Sequence, residues 1–204
     1  LISRAQLSQS EENKKNILDG EITNKSFILS ETQKSEKEYQ KLLERAKKEN
    51  AQAMADIANL ERTVREKLAQ RGQGSTQIPV SDFAWPVPKN TITAKFHDPS
   101  YPFRKSIGEH SAIDIRAAQG TTLKATASGY VARVKFDGST RYAYIMIIHD
   151  DVYSSVYGHV SAVSVKEDEY VSQGQVIGKT GGAPRTPGAG PFSTGPHLHF
   201  EIRK

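Results

Sequence analysis

The chain has 204 residues, 36% of them hydrophobic and 25% charged, with a formal net charge of +5. That length allows one compact domain plus an extended segment, and the low hydrophobic share fits a chain that is only partly globular. The basic excess is spread over both halves, which argues against nucleic-acid binding; the absence of Cys excludes disulfides, thiolate metal sites and cysteine nucleophiles.

No apolar run is long enough to cross a bilayer, so no transmembrane segment is expected. The chain starts Leu1-Ile2-Ser3 with no visible signal peptide. It reads as a fragment or a mature product whose targeting information is missing. A mild basic excess suits work near an anionic polymer, of which a bacterial wall is one example.

Residues 1–72 are predicted to form a helical coiled-coil segment. From Ser8 to Gln70 there is no Pro and a single Gly, Gly20. Tyr39, Ala46, Ala53 and Leu60 occupy one seam position of a heptad, and Leu43, Asn50, Ile57 and Val64 the other. The seam is thin. Its two alanines weaken it, and Asn50 is either a register-setting residue against a partner helix or part of a solvated face. A lone helix of this kind needs another helix or chain to bury its stripe.

Residues 73–82 are predicted to be a linker, since Arg71–Gln77 is polar and Gly-bearing. Residues 83–204 then read as an all-β domain, an open antiparallel sandwich or barrel. The predicted strands are Thr122–Ala127, Tyr130–Phe136, Tyr142–His149, Val152–Tyr157, Val171, Gln175–Gly178 and His197–Ile202. Short strands with Gly-rich turns and no helical period support that fold class. Gly181–Pro196 is rich in Gly and Pro and reads as a long loop, either a groove wall or a mobile segment.

All six histidines lie in this domain. His197 and His199 are two apart on a predicted strand, so both imidazoles share a face, and Glu201 shares it too. His110 and Asp114 are four apart. On a straight strand they would stand about 13 Å apart, too far for one ion, so the segment must bend if both are ligands. Two imidazoles and a carboxylate would leave a fourth position open, as in a catalytic zinc site. His159 and His197 are then available to manage a proton and an oxyanion. His149 is expected at a turn or on the surface, and His97 no closer than the cleft rim. Tyr101 and Tyr157 are expected to be packing residues.

Several ordered motifs resemble the lysostaphin-type, LytM-domain zinc endopeptidases: HSAID at 110–114, GTTLKATASGYV at 120–131, YGH at 157–159, VSQGQVIGKTGG at 171–182 and STGPHLHFEIR at 193–203. The resemblance covers roughly Trp85 to Arg203. It implies that His110, Asp114 and His199 hold Zn2+ and that His159 and His197 are catalytic. It also implies cleavage of stem-peptide cross-links or bridges in bacterial peptidoglycan, in cell-wall remodelling or daughter-cell separation, and an extracytoplasmic location: periplasm, cell envelope or secreted. One departure is Ala112, where the family usually has Gly. If that position needs φ > 0, Ala costs about 1 kcal/mol or more and a shifted backbone is expected.

Two further expectations concern residues 1–72. They restrain or position the domain, or they contact a cell-division or envelope protein through the coiled coil. The competing function is a LytM-like regulator that binds and activates another wall hydrolase without cleaving anything itself.

Overall fold

The computed structural model describes residues 4–70, 83–89, 91–150 and 152–204; the linker expected at 73–82 lies outside the described residues. The first element is one continuous helix, α1 (Arg4–Gln70). By packing, the chain divides into Leu1–Arg45 and Ala46–Lys204. The division falls inside the helix, away from the composition change near Gly72.

In the first unit, Leu18, Ile22, Phe27 and Leu42 are exposed. Thr23, Ser26 and Ser30 return their hydroxyls to carbonyls of the preceding turn. Among the described side chains this is a solvated helix whose large apolar residues are uncovered.

The second unit holds the rest of α1, the single turn α2 (Arg104–Ile107) and ten strands. The strands are β1 (Ile92–Ala94), β2 (Ile113–Arg116), β3 (Thr122–Lys124), β4 (Gly129–Lys135), β5 (Tyr144–Ile148), β6 (Ser154–Gly158), β7 (Val160–Val163), β8 (Tyr170–Val171), β9 (Val176–Thr180) and β10 (His197–Arg203). Seven form a sheet in the order β1-β2-β10-β6-β5-β4-β8 and three form a second, β3-β9-β7. Every pairing is antiparallel. The domain is therefore mostly antiparallel β-sheet behind a long N-terminal helix. Strands β1, β2 and β7 and helix α2 add to the segments predicted from sequence, because runs of three or four residues carry too little periodicity to stand out.

Period-2 alternation distributes β5 between two cores. Ile145 and Ile147 join Ile115, Leu123, Val131, Ile177 and Leu198 in a cluster drawn from both sheets. Tyr144, Met146 and Ile148 point the other way and meet Ala53 and Ile57 of α1. Every residue of β5 is buried because both its faces are covered. Ala53 and Ile57 are seam positions, and Leu60 and Val64 pack beside them. From Ala46 onward the heptad stripe meets the sheet of its own domain, where a helical partner had been expected. Ala53, one of the alanines that make a coiled-coil seam thin, lets the helix lie close to a sheet carrying Tyr and Met.

Candidate metal centre and active site

Register places the key residues side by side. On one edge of β10, His199 stands opposite Asp114 and His197 opposite Arg116 of β2. On the other edge His199 pairs with Gly158 of β6, one residue before His159. Gly158 leaves room for the Tyr142 ring: a β-carbon there would fall 2.2 Å from the Tyr142 hydroxyl and force that side chain to shift.

The predicted bend between His110 and Asp114 is present. Strand β2 begins only at Ile113, and His110 Nε2 lies 3.2 Å from Asp114 Oδ1. His199 Nδ1 is 3.3 Å from the same oxygen and 3.3 Å from His110 Nε2. These three donors form the one group among the described residues with the composition and spacing to hold a metal ion. Two donors on a tetrahedral ion with bonds of about 2.0–2.1 Å stand about 3.3–3.4 Å apart. The protein thus sets three corners of such a polyhedron. Asp114 Oδ1 is buried without a hydrogen bond of acceptable geometry, although imidazole nitrogens surround it. A cation would satisfy that oxygen.

Each imidazole is aimed by a partner on its far nitrogen. His110 Nδ1 donates to the Lys95 carbonyl at 3.0 Å, and His199 Nε2 donates to Glu201 Oε1 at 3.1 Å. His159 Nδ1 donates to the Ala189 carbonyl at 2.8 Å, and His197 Nδ1 to the Gly195 carbonyl at 2.7 Å. A carbonyl can only accept, so in the neutral rings of His110, His159 and His197 the proton sits on Nδ1 and Nε2 carries the lone pair on the other side. The rings of His159 and His197 are 4.5 Å apart, and His197 Nε2 is 3.6 Å from Asp114 Oδ1.

Electrostatics separates the roles. Burial, then the neighbouring His197 and His199, hold the His159 pKa well below the ordinary value. Burial also lowers His197, partly offset by Asp114. Burial opposes charge on His199, but the close Asp114 and Glu201 carboxylates outweigh it and push its pKa up to about 9. Burial likewise opposes ionisation of Asp114, yet His110, His199 and His197 together hold its carboxyl well below the usual range.

Ala112 is not among the residues with positive φ, so the expected strain at that position does not arise. His159 does adopt a left-handed conformation, φ +57. His149 sits outside the group, bonded to Ser128 and Ser155, and His97 pairs with Glu109 on the surface. Tyr101 stacks on His110 at 4.4 Å between ring centres. The loop before β10 is a wall: Gly190, Pro191 and Phe192 line the same cavity as His110, His159 and His199. Sequence reasoning missed Tyr142, whose ring lies 5.1 Å from His159, and missed Glu49, Asn50 and Met54 of α1, which complete the cavity. Asn50 stood out only as a flaw in the heptad.

Residues 108–204 match Peptidase family M23. That match takes in His110, Asp114, His159, His197 and His199. Among curated relatives, the peptidoglycan DD-endopeptidase ShyA of Vibrio cholerae is 31% identical over 59% of this chain and 25% of its own length. The murein hydrolase activator NlpD of Salmonella dublin is 35% identical over 63% of this chain and 30% of its own length. A zinc-containing peptidase from Vibrio cholerae of known structure is 30% identical, with a TM-score of 0.49, covering 60% of this chain and 36% of that one. The chain spans only 20–30% of the length of these curated relatives and of an uncharacterised metalloprotease from Haemophilus influenzae. The relatives thus include proteins named for hydrolysis and proteins named for activating hydrolases.

Proposed function

We propose that residues 83–204 are a zinc-dependent endopeptidase that hydrolyses peptide bonds of bacterial peptidoglycan, at stem-peptide cross-links or bridges, outside the cytoplasm. The role fits cell-wall remodelling or daughter-cell separation. The observation that carries this reading is three donor atoms at tetrahedral spacing beside two further imidazoles with free Nε2 atoms. His110, Asp114 and His199 would hold the ion, and a mixed set of two nitrogens and one oxygen suits zinc. Zinc, when bound, polarises a carbonyl and makes water acidic enough to attack at neutral pH.

The chain's own residues supply the rest. His159 and His197, kept neutral by burial, can accept a proton near pH 7 and return it to the leaving amine. Their outward hydrogen bonds to Ala189 and Gly195 fix which nitrogen does this. Once protonated, they present N–H donors to a developing oxyanion. Tyr101, Gly190, Pro191 and Phe192 bound the groove, and Phe103 packs against both the Tyr101 and Phe192 rings. On the helical side, Glu49, Asn50 and Met54 stand where substrate would lie, so α1 restrains the site in this form.

The activator reading has support of its own, from the 35% identity to a murein hydrolase activator and from the helical wall. Digestion of defined muropeptides separates the two readings. The variants are wild type, His199→Ala and His159→Ala, each also carrying Ala53→Arg to lift the helix. An enzyme with a lifted helix releases peptides, loses zinc with His199→Ala, and keeps zinc but loses turnover with His159→Ala. Zinc bound with no peptide released from the lifted form would establish the activator instead.

A further inference from the structure

The metal ligand His199 is connected to the helix by an unbroken chain of charged contacts. Its Nε2 donates to Glu201 Oε1 at 3.1 Å. The second oxygen of Glu201 accepts from Arg203 Nη1 at 2.8 Å. Arg203 Nε in turn donates to Glu61 Oε1 of α1 at 3.1 Å, and Ser154 donates to the same Glu61 oxygen. Glu201 is 2% exposed. Ser111, next to His110, also reaches Glu201 Oε1, at 3.4 Å.

We infer that Glu201 is the positioning residue for His199, and that Arg203 shares it with Glu61 so that helix docking and metal binding reinforce each other. The inference rests on the metal-site reading above. A histidine ligand is held in one tautomer and orientation by the acceptor on its far nitrogen, and loss of such an acceptor weakens metal binding 10- to 100-fold in other sites. Here the acceptor is buried and is itself pinned. Arg203 offers two different nitrogens, so it serves Glu201 and Glu61 at once instead of choosing between them. With the helix docked, Glu61 fixes the guanidinium, the guanidinium fixes the Glu201 carboxylate, and the carboxylate aims His199 Nδ1 at Asp114 and His110. With the helix lifted, Arg203 gains freedom and His199 loses part of its brace. Thermodynamic reciprocity then requires the bound ion to hold the helix down.

The consequence is specific. The covered form, in which Glu49, Asn50 and Met54 line the cavity, is also the form that retains metal best. Such a protein would stay loaded while restrained and be ready when the helix lifts.

The test measures zinc affinity of the full chain by competition with a chromogenic chelator, and the visible spectrum of the Co2+-substituted protein. The variants are Glu201→Gln, Arg203→Met, Arg203→Lys and Glu61→Gln. Glu201→Gln is expected to lower affinity 10- to 100-fold and to shift the Co2+ bands. Glu61→Gln, on the helix and distant from the ion, is expected to lower affinity about fivefold. Arg203→Met should behave like Glu61→Gln or worse, and Arg203→Lys should recover part of the loss. In the wild type, zinc should raise hydrogen-exchange protection of residues 46–66, and Glu61→Gln should abolish that increase. If Glu201→Gln fails to fold, the Glu61→Gln pair of readouts decides. Wild type that binds zinc, with Glu61→Gln binding it equally or more tightly, overturns the coupling. Unchanged affinity in a folded Glu201→Gln overturns the positioning role. Wild type that binds no zinc overturns the metal-site reading itself, and the coupling with it.

Discussion

His159 adopts φ +57, a region that costs a residue with a β-carbon about 1 kcal/mol or more. The strain turns its ring toward His197 and lets Nδ1 reach the Ala189 carbonyl. Neither His159 nor His197 belongs to the triangle of donors formed by His110, Asp114 and His199. Replacing each by Ala should therefore leave zinc content near one ion per chain while kcat falls about 10²- to 10⁴-fold. Metal analysis of the same samples used for muropeptide kinetics checks this. Loss of zinc in His159→Ala would mean that the ligand set has been drawn wrongly. The residues most visible in the sequence were those with distinctive chemistry at short spacing, the HxH pair and the HSAID run. Tyr142 was not, because an aromatic residue ahead of a strand reads as packing wherever it occurs.

At the scale of elements, two segments border the site. Gly188 has φ +77, and a β-carbon there would lie 1.9 Å from the Val160 carbonyl oxygen. Gly188→Ala should displace the adjoining Ala189 carbonyl from His159, cost on the order of 1–3 kcal/mol, and reduce kcat more than it changes zinc affinity. Chemical denaturation together with kinetics would show both effects. The second segment is α1 from Ala46 onward. Ile57 is fully buried against the sheet, so Ile57→Ala should weaken docking by roughly 2–4 kcal/mol. Hydrogen exchange should show residues 46–66 losing protection before the strands do, and turnover of muropeptides should rise. Faster exchange without any gain in turnover would argue that the helix does not restrain catalysis. The heptad seam was readable from residue spacing alone. Its partner was not, because an apolar stripe records that something covers it and not what.

For the whole unit Ala46–Lys204, a metal held by Asp114 and His199 would tie β2 to β10, which lie far apart in sequence and adjacent in the sheet. An ion held by residues from both strands stabilises the folded state alone. Saturation at 100 times Kd adds about 2.7 kcal/mol, or roughly 5–10 °C in Tm for a domain of this size. Scanning calorimetry with and without chelator should show the rise, and His199→Ala should abolish it. A metal-dependent rise that persists in His199→Ala would place the ion elsewhere.

Local chemistry and periodicity determined a good deal by themselves. They marked the antiparallel β domain, the helical segment before it, the His197–His199 pair, and the need for a bend if His110 and Asp114 act together, while the roles of the five site residues came from the resemblance to lysostaphin-type endopeptidases. Each of these depends on residue type and on separations of a few positions, where the geometry of a strand or helix converts spacing into direction. Tertiary structure alone decided what lies across the groove. The register that sets Asp114 opposite His199, the carbonyls behind His110 and His159, the helical wall at Glu49 and Met54, and the path from His199 to Glu61 all join residues remote in sequence. Such contacts follow from how two sheets and a helix bury their apolar faces together, and no spacing along the chain encodes that.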